Sequence, residues 1–217
     1  MDIKRILRRI DLLRIPIRER LNPLFGWWRK RKLNNRNFTI ISNNCWAAHV
    51  YRYFQIPYTT PTIGLYFFGD EYVKFVSNLE KYCKCHLVFI NPKESKHYQQ
   101  LIKQGSDHSL IGKLDDVEIV FLHYETEQEA LDKWTRRTKR IIWDNLIIKF
   151  SAQNDASPEQ LKIVDALPYN KKIIFTTKDL GLKSQVIFKE YEGDDQIADE
   201  ITHFRRYVNL IELVNRN

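Results

Sequence analysis

Glycine is scarce in this chain, and its scarcity excludes two common classes of nucleotide-binding protein. The 217 residues contain 7 glycines, and none of them stands in a Gly-x-Gly-x-x-Gly or Gly-x4-Gly-Lys arrangement. Such loops bring backbone amides close to a dinucleotide or a triphosphate. Neither a dinucleotide-binding fingerprint nor a P-loop is therefore available to the chain.

Cysteines and long apolar runs are also rare. The three cysteines, Cys45, Cys83 and Cys85, are an odd number in a chain too large to depend on disulfides, which favours a reducing compartment. No stretch reaches 18 consecutive apolar residues, and the N-terminal segment is interrupted by charges. The sequence therefore predicts neither a membrane-spanning helix nor a secretory signal, and we expect a cytoplasmic protein.

Acidic residues are rare at one end of the chain only. Residues 1–32 hold eleven basic residues and three acidic ones, whereas the remainder holds 24 of each, so the formal charge of +8 belongs to an N-terminal arm. The body shows no basic groove or recognition motif, and we expect no specific nucleic acid partner. An acidic partner would therefore contact the arm.

The arm has the pattern of a short basic amphipathic helix. Apolar residues recur at helical spacing, opposite lysines and arginines, at Ile3, Ile6, Leu7, Ile10 and Leu13. Pro16 and Pro23 are expected to interrupt the helix, and an aromatic run ending at Trp27 and Trp28 leads into four basic residues. Aromatic and basic side chains together favour an anionic membrane surface for residues 1–32. The alternative is that the apolar stripe docks on the protein's own domain.

From residue 38 onward, apolar β-branched runs alternate with amphipathic segments. The runs predict strands at 38–42, 62–67, 86–90, 117–123, 146–150, 173–176 and 185–188. Helices are predicted between them at 45–54, 71–82, 127–140, 158–167 and 195–214, and residues 105–116 are predicted to form a hairpin or an excursion. The pattern indicates an α/β fold, a mostly parallel sheet with helices on both faces, in a single domain over residues 34–217 that follows the arm over residues 1–33.

Polar segments follow four of the predicted strands. In α/β folds the ligand binds beyond the carboxyl ends of parallel strands, so these segments are expected to converge on one rim. They are Ser42, Asn43, Asn44 and Cys45 after the first strand, His123 and Tyr124 after the fourth, Ser151 after the fifth, and Thr177 and Lys178 after the sixth. Such a set suits group transfer to a hydroxyl, although Asn, Ser and Thr also form ordinary turns and caps.

Many of these residues belong to short sequence motifs that follow one another along the chain. Between residues 38 and 180 the motifs are Ile41–Trp46, Pro61–Leu65, Leu114–Ile119, Phe121–Tyr124, Lys133–Trp134, Arg136–Arg137, Trp143–Leu146, Lys149–Ser151 and Leu167–Tyr169. In this order they resemble a family of bacterial proteins that are usually described as exopolysaccharide or capsule biosynthesis proteins. The resemblance implies a role in surface-polysaccharide assembly and carries no known mechanism with it.

The chain departs from that family's pattern at three places. Ala47 and Ala48 stand where the family usually has two glycines, so a close backbone approach to a ligand is less favourable there. Val120 and Ile142 stand where the family often has His and Asn, so neither polar group is essential in this chain. His123 remains as the histidine of the expected rim.

The turn over Ser42–Cys45 is also similar to the Gly-Asn-Cys-Gln turn of capsule-locus proteins thought to be acyltransferases. At a helix N-terminus, Asn43 and Asn44 could stabilise an oxyanion, and the helix field would lower the pKa of Cys45. We therefore expect acyl transfer from coenzyme A to a sugar hydroxyl, with His123 as the general base and Ser42 or Cys45 as a relay for the acyl group. The alternatives are a structural cysteine and a histidine held by a backbone hydrogen bond.

A second mechanism would use a divalent metal. The carboxylates are Asp115, Asp116 and Glu118. The sequence Asp116-Val117-Glu118 resembles the spaced acids with which many glycosyltransferases hold Mg²⁺ or Mn²⁺ together with a nucleotide sugar, and Asp115 and Asp116 are the candidate metal ligands. These acids precede a strand and do not follow one, which is typical of a turn. The favoured interpretation therefore includes no metal.

Basic residues near the end of the third predicted helix offer a phosphate site. Arg136 and Arg137 lie just before Asp144 and Asn145, and an arginine can bind a phosphate through two hydrogen bonds. A solvated charged helix face is the alternative. The candidate substrate-binding residues are Tyr124, Arg136, Arg137, Asp144, Asn145, Ser151, Thr177 and Lys178.

Together these features predict a cytoplasmic transferase that acts in surface-polysaccharide biosynthesis. We expect it to be peripheral at the inner face of the cell membrane. The sequence leaves its oligomeric state open. Its substrate would be a sugar or a lipid-linked saccharide, and its favoured donor is an acyl-coenzyme A. The alternatives are a metal-dependent glycosyltransferase that uses a nucleotide sugar and a non-catalytic scaffold of a polysaccharide assembly complex.

Overall fold

Two β-sheets form the framework of the protein. The computed structural model describes residue 17 and residues 20–216. The strands within this part of the chain are β1 (Thr39–Ser42), β2 (Leu65–Tyr66), β3 (Val88–Ile90), β4 (Leu110–Leu114), β5 (Val117–Phe121), β6 (Leu146–Ser151), β7 (Lys171–Thr176) and β8 (Gln185–Ile187). Sheet A has the order β1-β6-β7-β8 with every neighbouring pair parallel, and sheet B has the order β2-β5-β4-β3 with every pair antiparallel.

The predicted α/β class with a parallel sheet is confirmed, but three of the predicted strands lie in a second sheet. Residues of the predicted strands 62–67, 86–90 and 117–123 form β2, β3 and β5 of sheet B. The physical reason is the hairpin, since β4 and β5 are joined by the two-residue turn Asp115–Asp116, which only an antiparallel pair can use. Asp115 has a φ of 57°, in the left-handed region that such turns require.

Helices surround the sheets. They are α1 (residues 20–31 of the described chain), α2 (Trp46–Phe54), α3 (Gly69–Ser77), α4 (Leu79–Lys84), α5 (Tyr98–Lys103), α6 (Glu127–Thr138), α7 (Pro158–Ala166), α8 (Glu200–His203) and α9 (Leu210–Asn215). Ser157 caps α7 as predicted, because its side chain accepts from the amide of Gln160 while the Gln160 side chain bonds the Ser157 amide. None of these helices is long and apolar enough to cross a bilayer.

Two long predicted helices are broken in the structure. The segment 71–82 divides into α3 and α4 at Asn78, whose φ of −137° and ψ of 46° are not helical. The segment 195–214 holds α8 and α9, each preceded by a capping side chain, from Asp199 and from Asn209. Short polar side chains of this kind bond nearby backbone amides and so start new helices where periodicity suggests continuity.

The cores lie on opposite faces of sheet A. Ile148, Phe150 and Ile174 belong to a cluster that also contains side chains of sheet B and of α3, whereas Ile147, Ile173 and Phe175 belong to a cluster with α2 and the C-terminal helices. Alternate residues of one strand point to opposite faces, so β6 is apolar on both sides. This double burial makes any polar side chain on β6 exceptional.

Helix α1 docks on α2 through a narrow polar face. Asn22 Nδ2 donates to Arg52 O at 2.9 Å, and a Cβ at Gly26 would lie 2.4 Å from the Gln55 side chain, so a larger residue at position 26 would displace the end of that side chain. The expectation that Pro23 interrupts the helix is wrong, because residues 20–31 are helical around it and the contacts with α2 hold them. The amphipathic helix predicted for the first part of the arm lies outside the described residues.

Candidate functional site

A cavity of about 570 Å³ opens beyond the carboxyl ends of the strands of sheet A. It lies where ligands bind in parallel α/β folds. Asn44 and Cys45 follow β1, Gln153 follows β6, and Asp199 and Glu200 come from the start of α8, and all of these residues line the cavity. The segment that leads into α8 crosses this edge of the sheet, because the Ile197 amide donates to Ala152 O at 2.8 Å.

An almost completely buried ion pair lies at the base of this edge. Lys149 of β6 and Glu200 of α8 are 0% and 1% exposed, and Lys149 Nζ donates to Glu200 Oε1. The same ammonium donates to Asn44 Oδ1 at 3.0 Å and to Asn43 Oδ1 at 3.3 Å. Three acceptors therefore satisfy the three protons of Lys149, and the lysine fixes the positions of both asparagines and of the glutamate.

Burial changes the acid–base behaviour of the lysine. Removal from water lowers the pKa of Lys149 to about 8, although the charge and the hydrogen bond of Glu200 act in the opposite direction. A charged group is transferred into a dry interior only at a high free-energy cost, and this cost appears as the lowered pKa. A pKa of about 8 brings the protonation equilibrium of Lys149 close to neutral pH.

Three polar atoms around Lys149 have no hydrogen-bond partner among the described residues. They are Glu200 Oε2, Ser151 Oγ and Trp46 Nε1, and all three are buried. Ser151 lies two residues after Lys149 on the same face of β6, and Lys149 Nζ lies 5.9 Å from the Trp46 ring. Because an unsatisfied buried polar atom costs about 1–3 kcal/mol, such a cluster is unusual outside a site that receives a ligand or water.

The turn after β1 is held in one conformation by side-chain hydrogen bonds. Ser42 Oγ donates to Asn44 O at 2.5 Å, and the Trp46 amide donates to Asn44 Oδ1 at 3.1 Å. Asn44 Nδ2 donates to Gln153 Oε1 at 2.6 Å, and Asn43 Nδ2 lies 3.4 Å from Ser151 O. The carboxamide groups predicted to stabilise an oxyanion are thus close to the cavity but bonded to protein acceptors in this state.

The predicted lowering of the pKa of Cys45 is wrong. Cys45 does lie at the N-terminus of α2, but burial raises its pKa, and the backbone hydrogen bonds at Gly64 and Leu65 offset this only in part. Its Sγ donates to Leu65 O at 3.6 Å. A half-buried thiol whose pKa is raised is a poor nucleophile, so the structure favours the structural alternative for Cys45.

His123 and Tyr124 lie beside the cavity and not inside it. They follow β5, which belongs to the antiparallel sheet B, so the assumption that all four segments end at one rim is wrong for this pair. His123 is exposed, and Leu122 is the residue of this segment that lines the cavity. Tyr124 OH donates to Ile63 O and accepts from Arg137 Nη1 at 2.6 Å, which assigns Arg137 to a structural contact.

The other predicted binding residues lie in separate places. Thr177 and Lys178 follow β7 and line a neighbouring cavity of about 220 Å³ on the same edge. Asp144 and Asn145 precede β6, so they lie at the opposite end of sheet A from Asn43, and Asn145 is bonded to Asn37 O and to Lys171 Nζ. The sequence predicted Asp144 and Asn145 as substrate-binding residues beside Arg136 and Arg137, apart from the rim, and they do not line the 570 Å³ cavity. Arg136 is exposed on α6, away from the 570 Å³ cavity.

The acids proposed for a metal are engaged by neighbouring side chains. Asp115 accepts from Lys81 at 2.8 Å, and Asp116 accepts from Tyr82 OH at 2.8 Å and pairs with Lys74 at 3.3 Å. Asp115 and Asp116 form the β4–β5 turn, as the turn alternative expects.

A second cluster of side chains that could bind a metal ion lies beside sheet B. One ligand atom from each of Asp70, Glu71 and His97 falls within 4.8 Å of the others. Both oxygens of the buried Glu71 are already bonded, Oε1 to Lys96 and to His97 and Oε2 to the Glu118 amide at 2.7 Å. The Lys96 ammonium already pairs with Glu71 Oε1, so we assign this group to a structural network.

Sequence reasoning missed Lys149 and Glu200. Lys149 stands inside the run Leu-Ile-Ile-Lys-Phe-Ser, and a lysine in a strand that is apolar on both sides must have a buried partner. The sequence therefore contained a signal for a buried Lys149. It contained none for its partner, since Glu200 lies 51 positions away in a segment predicted to be one long helix.

Comparison with other proteins places the chain in a family. A protein of Haemophilus influenzae (strain ATCC 51907 / DSM 11121 / KW20 / Rd), described as an uncharacterized protein, is similar to it, with 32% identity over 171 residues that cover 78% of this chain and 77% of the relative. Residues 17–215 match the family DUF1919, described as a domain of unknown function. The match spans both sheets and the cavity between β1, β6 and α8, and the chain belongs to the DUF1919 family.

Proposed function

We propose that this protein is a transferase of surface-polysaccharide biosynthesis that moves an acyl group from coenzyme A to a sugar hydroxyl in the cavity at the edge of sheet A. The observation that carries the proposal is Glu200 Oε2, a buried carboxylate oxygen without a partner among the described residues, on a residue that lines the cavity. A carboxylate oxygen in that state is suited to accept a hydrogen bond from a hydroxyl. The resemblance of its short sequence motifs to those of exopolysaccharide and capsule biosynthesis proteins supports a sugar as the acceptor.

In the proposed reaction Glu200 takes the general-base role that the sequence assigned to His123. The sugar O–H bond breaks and its proton passes to Glu200 Oε2, while the hydroxyl oxygen attacks the thioester carbonyl carbon. The C–S bond then breaks, the ester remains on the sugar, and the thiolate of coenzyme A takes the proton back from Glu200. The charge on Glu200 is held in place by Lys149, so the base is oriented before the substrate arrives.

Asn43 and Asn44 would stabilise the oxyanion of the intermediate. Their amide groups lie at the N-terminus of α2, where the helix dipole favours negative charge. The Asn44 amide is bonded to Gln153 Oε1, so an arriving carbonyl would replace one hydrogen bond by another. A metal-dependent glycosyl transfer is less consistent with the geometry, because Asp115 and Asp116 are bonded to Lys81, Tyr82 and Lys74.

The experiment is a thermal-shift screen followed by a transfer assay. The purified protein is heated with acetyl-coenzyme A and longer acyl thioesters, and with nucleotide sugars with and without Mn²⁺, because a ligand that binds only the folded state raises the melting temperature. Acyl transfer from a labelled thioester to sugar acceptors is then measured for the wild type and for Glu200→Gln. We expect a shift with the thioester that needs no metal, and a loss of transfer of at least about 100-fold in the variant.

Glu190→Gln is the matched control. Glu190 is also a buried glutamate of the C-terminal segment, but Arg206 and Tyr207 engage its two oxygens at 2.8 and 2.6 Å and it does not line the cavity. Retained transfer in Glu190→Gln together with loss in Glu200→Gln supports the base. A shift that appears only with a nucleotide sugar and Mn²⁺ would replace acyl transfer by glycosyl transfer, and no shift with any donor would favour a scaffold.

The protein would act as a peripheral protein at the inner face of the membrane. Helix α1 exposes a stripe at helical spacing that includes Leu21, Leu24, Phe25 and Trp28, with exposed fractions between 42% and 72%. Basic groups lie beside it, with Lys32 Nζ 3.6 Å from the Trp28 ring centroid and the Arg31 guanidinium 4.5 Å from that of Trp27. Such a surface buries aromatic rings at the lipid interface while its cations meet anionic headgroups.

Sedimentation with vesicles tests the membrane surface. We expect wild-type protein to sediment with phosphatidylglycerol vesicles and Trp27→Ser/Trp28→Ser to remain mostly in solution. Trp143→Ser is the matched control, because Trp143 is a comparably exposed tryptophan, at 42%, outside α1. Equal sedimentation of all three proteins would refute the proposed surface.

A further inference from the structure

A groove of about 590 Å³ lies at the amino-terminal ends of the strands of sheet A, and we call it the amino-edge groove. Its walls come from the segments that precede β1, β6 and β7 and from the end of α9. The 570 Å³ cavity lies at the opposite end of the sheet, and the two share no lining residue among the described residues. Ligand sites commonly have volumes of about 300–1,000 Å³, and the proposed transfer reaction assigns no role to this one.

Asparagine is concentrated in the lining of the amino-edge groove. Of the 14 asparagines of the chain, six occur among the described lining residues, namely Asn34, Asn35, Asn37, Asn145, Asn170 and Asn215. The side chains of Asn34, Asn37 and Asn170 are exposed and have no hydrogen-bond partner among the described residues. A carboxamide offers a donor and an acceptor side by side, which suits a ligand whose hydroxyl groups both donate and accept.

Other side chains of the lining hold the walls of the groove together. Asn145 Nδ2 donates to Asn37 O at 2.8 Å, and Asn145 Oδ1 accepts from Lys171 Nζ at 2.9 Å. Asn215 Oδ1 accepts from the Asn34 amide at 2.9 Å. These bonds tie the segments before β1, β6 and β7 to one another and to α9. The groove is therefore formed before a ligand arrives, and little conformational entropy is lost on binding.

An exposed tryptophan lies among these polar groups. Trp143 begins the short 3₁₀ turn Trp143–Asn145, lines the groove and is 42% exposed. The face of an indole ring carries partial negative charge and attracts the polarised C–H groups of a sugar ring that lies on it. Asp144, the next residue, also lines the groove, and its carboxylate can accept hydrogen bonds from hydroxyl groups. A flat apolar face beside carboxamides and a carboxylate matches a molecule with a C–H face and hydroxyl groups around its edge.

The charges of the lining favour a neutral ligand. Lys171 already donates to two oxygens of the groove's own walls, and Arg216 lies 3.8 Å from Glu212. Asp144 adds a charge of the opposite sign to the same lining. A phosphate is held where several cations converge on it, and a lining that carries both signs does not provide this.

We propose that the amino-edge groove binds a neutral oligosaccharide, with Trp143 stacked on a sugar ring and the carboxamides of Asn34, Asn37 and Asn170 bonded to its hydroxyl groups. This site is separate from the cavity in which transfer is proposed, and it adds a second saccharide contact at the other end of sheet A. Because the class of ligand follows from the lining, saccharide binding here does not depend on acyl transfer in the 570 Å³ cavity.

Isothermal titration calorimetry with neutral tetrasaccharides tests the groove. The probes are cellotetraose, maltotetraose, mannotetraose and N-acetylchitotetraose, each at up to about 10 mM, which is tenfold above a dissociation constant of about 1 mM. We expect the wild type to bind at least one of them with a dissociation constant of about 1 mM or lower. Trp143→Ala should weaken this binding at least about tenfold because the stacked ring is lost, and Asn34→Ala/Asn170→Ala should weaken it several-fold.

Ile163→Ala is the matched control for Trp143→Ala. Ile163 is a comparably exposed apolar residue, at 48%, and it lines neither the groove nor the 570 Å³ cavity. Its variant should bind the tetrasaccharide like the wild type, and circular dichroism should show the same fold for all the proteins. Binding of none of the tetrasaccharides, or binding that Trp143→Ala leaves unchanged, overturns the saccharide site.

Inorganic phosphate and inorganic diphosphate provide the anionic arm of the test. We expect neither to compete with the bound tetrasaccharide. Competition by either anion that Trp143→Ala abolishes would assign the groove to an anion and overturn the neutral class of ligand. The titrations contain no acyl donor, so a failure of the proposed transfer reaction leaves their result unchanged, and a failure to bind saccharide in the groove leaves the transfer assay unchanged.

Discussion

Glu71 and Glu200 are both buried glutamates paired with a lysine, yet their surroundings differ in one respect. Glu71, on α3, has both oxygens bonded, to Lys96, to His97 and to the Glu118 amide. Glu200, on α8, has one oxygen bonded to Lys149 and the other without a partner among the described residues. The first lies in a closed network beside sheet B, and the second borders a cavity at the carboxyl edge of sheet A.

This difference distinguishes a buried charge that stabilises the fold, as in Glu71, from a buried charge that a ligand could still contact, as in Glu200. A buried charge whose hydrogen bonds are all made contributes to a unique fold, whereas an unsatisfied oxygen lowers stability and is retained only where something else occupies the place. Burial by itself would raise the pKa of Glu71, but the bonds from His97, Lys96 and the Glu118 amide outweigh it and lower the pKa to about 2. Glu71 is therefore ionised at neutral pH, whereas Glu200 keeps an oxygen without a partner among the described residues beside the cavity.

The largest expected effect in this comparison is that of Lys149→Met. The substitution leaves Glu200 buried without a counter-charge and removes the donor shared by Asn43 and Asn44, so we expect the free energy of unfolding to fall by about 3–5 kcal/mol. Lys96→Met should cost below about 1 kcal/mol, because the Lys96 side chain is 40% exposed and Glu71 keeps two other donors. Urea denaturation measures both values.

A double variant separates loss of the pair from loss of packing. Lys149→Met/Glu200→Leu removes both charges and should recover most of the stability, since an apolar pair of similar volume often replaces a buried ion pair without cost. Similar costs for Lys149→Met and Lys96→Met would show that water reaches the Lys149 pair in solution and would remove the contrast between the two glutamates.

Much of the fold was predictable because its signals are local. The strand runs and Ser157 capping follow from periodicity and from one side chain's hydrogen bond, and both are confirmed. The division into two sheets was not predictable from the runs, since the same alternation of strand and helix fits a parallel sheet until the turn at Asp115 and Asp116 sets the direction of β5.

The candidate site was predictable in part for the same reason. Asn43, Asn44 and the segment at Ser151 come together because β1 and β6 are parallel neighbours, which the rule for α/β folds anticipates. Asp144 and Asn145, predicted to bind substrate beside Arg136 and Arg137, lie at the opposite end of sheet A because they precede β6. Glu200 was missed because its pairing with Lys149 is long-range, and no local pattern encodes it.

An intermediate effect is expected from Glu71→Gln, with a characteristic pH dependence. The folded-state pKa of Glu71 is about 2 and its ordinary value is 4.5, so the ionised group contributes about 3 kcal/mol of stability above its ordinary pKa, and this is lost as the pH falls toward 2. We expect the variant to be less stable by about that amount at neutral pH. Its deficit relative to wild type should shrink by about 1 kcal/mol between about pH 5.5 and pH 3.5.

Urea denaturation across this pH range is the measurement, and Glu80→Gln is its control. Glu80 is exposed, and among the described residues its ion pair is with Lys84 of the same helix. Its substitution should therefore leave the pH dependence of the free energy of unfolding unchanged. A constant deficit for Glu71→Gln at all pH values would mean that Glu71 has an ordinary pKa, and the distinction between the two glutamates would then rest on geometry alone.

The smallest expected effect comes from a pair of buried serines, one in each network. Ser95 Oγ donates to Glu118 Oε2 at 2.5 Å and accepts from the His97 amide, so Ser95→Ala should cost about 1–3 kcal/mol and leave ligand binding unchanged. Ser151 Oγ has no partner among the described residues, so Ser151→Ala should raise stability by about 1 kcal/mol and weaken binding of the ligand found in the thermal-shift screen several-fold. Urea denaturation and ligand titration of both variants distinguish the two networks. If Ser151→Ala lost as much stability as Ser95→Ala, both hydroxyls would be structural. The edge of sheet A would then hold no unpaired polar group beside Glu200.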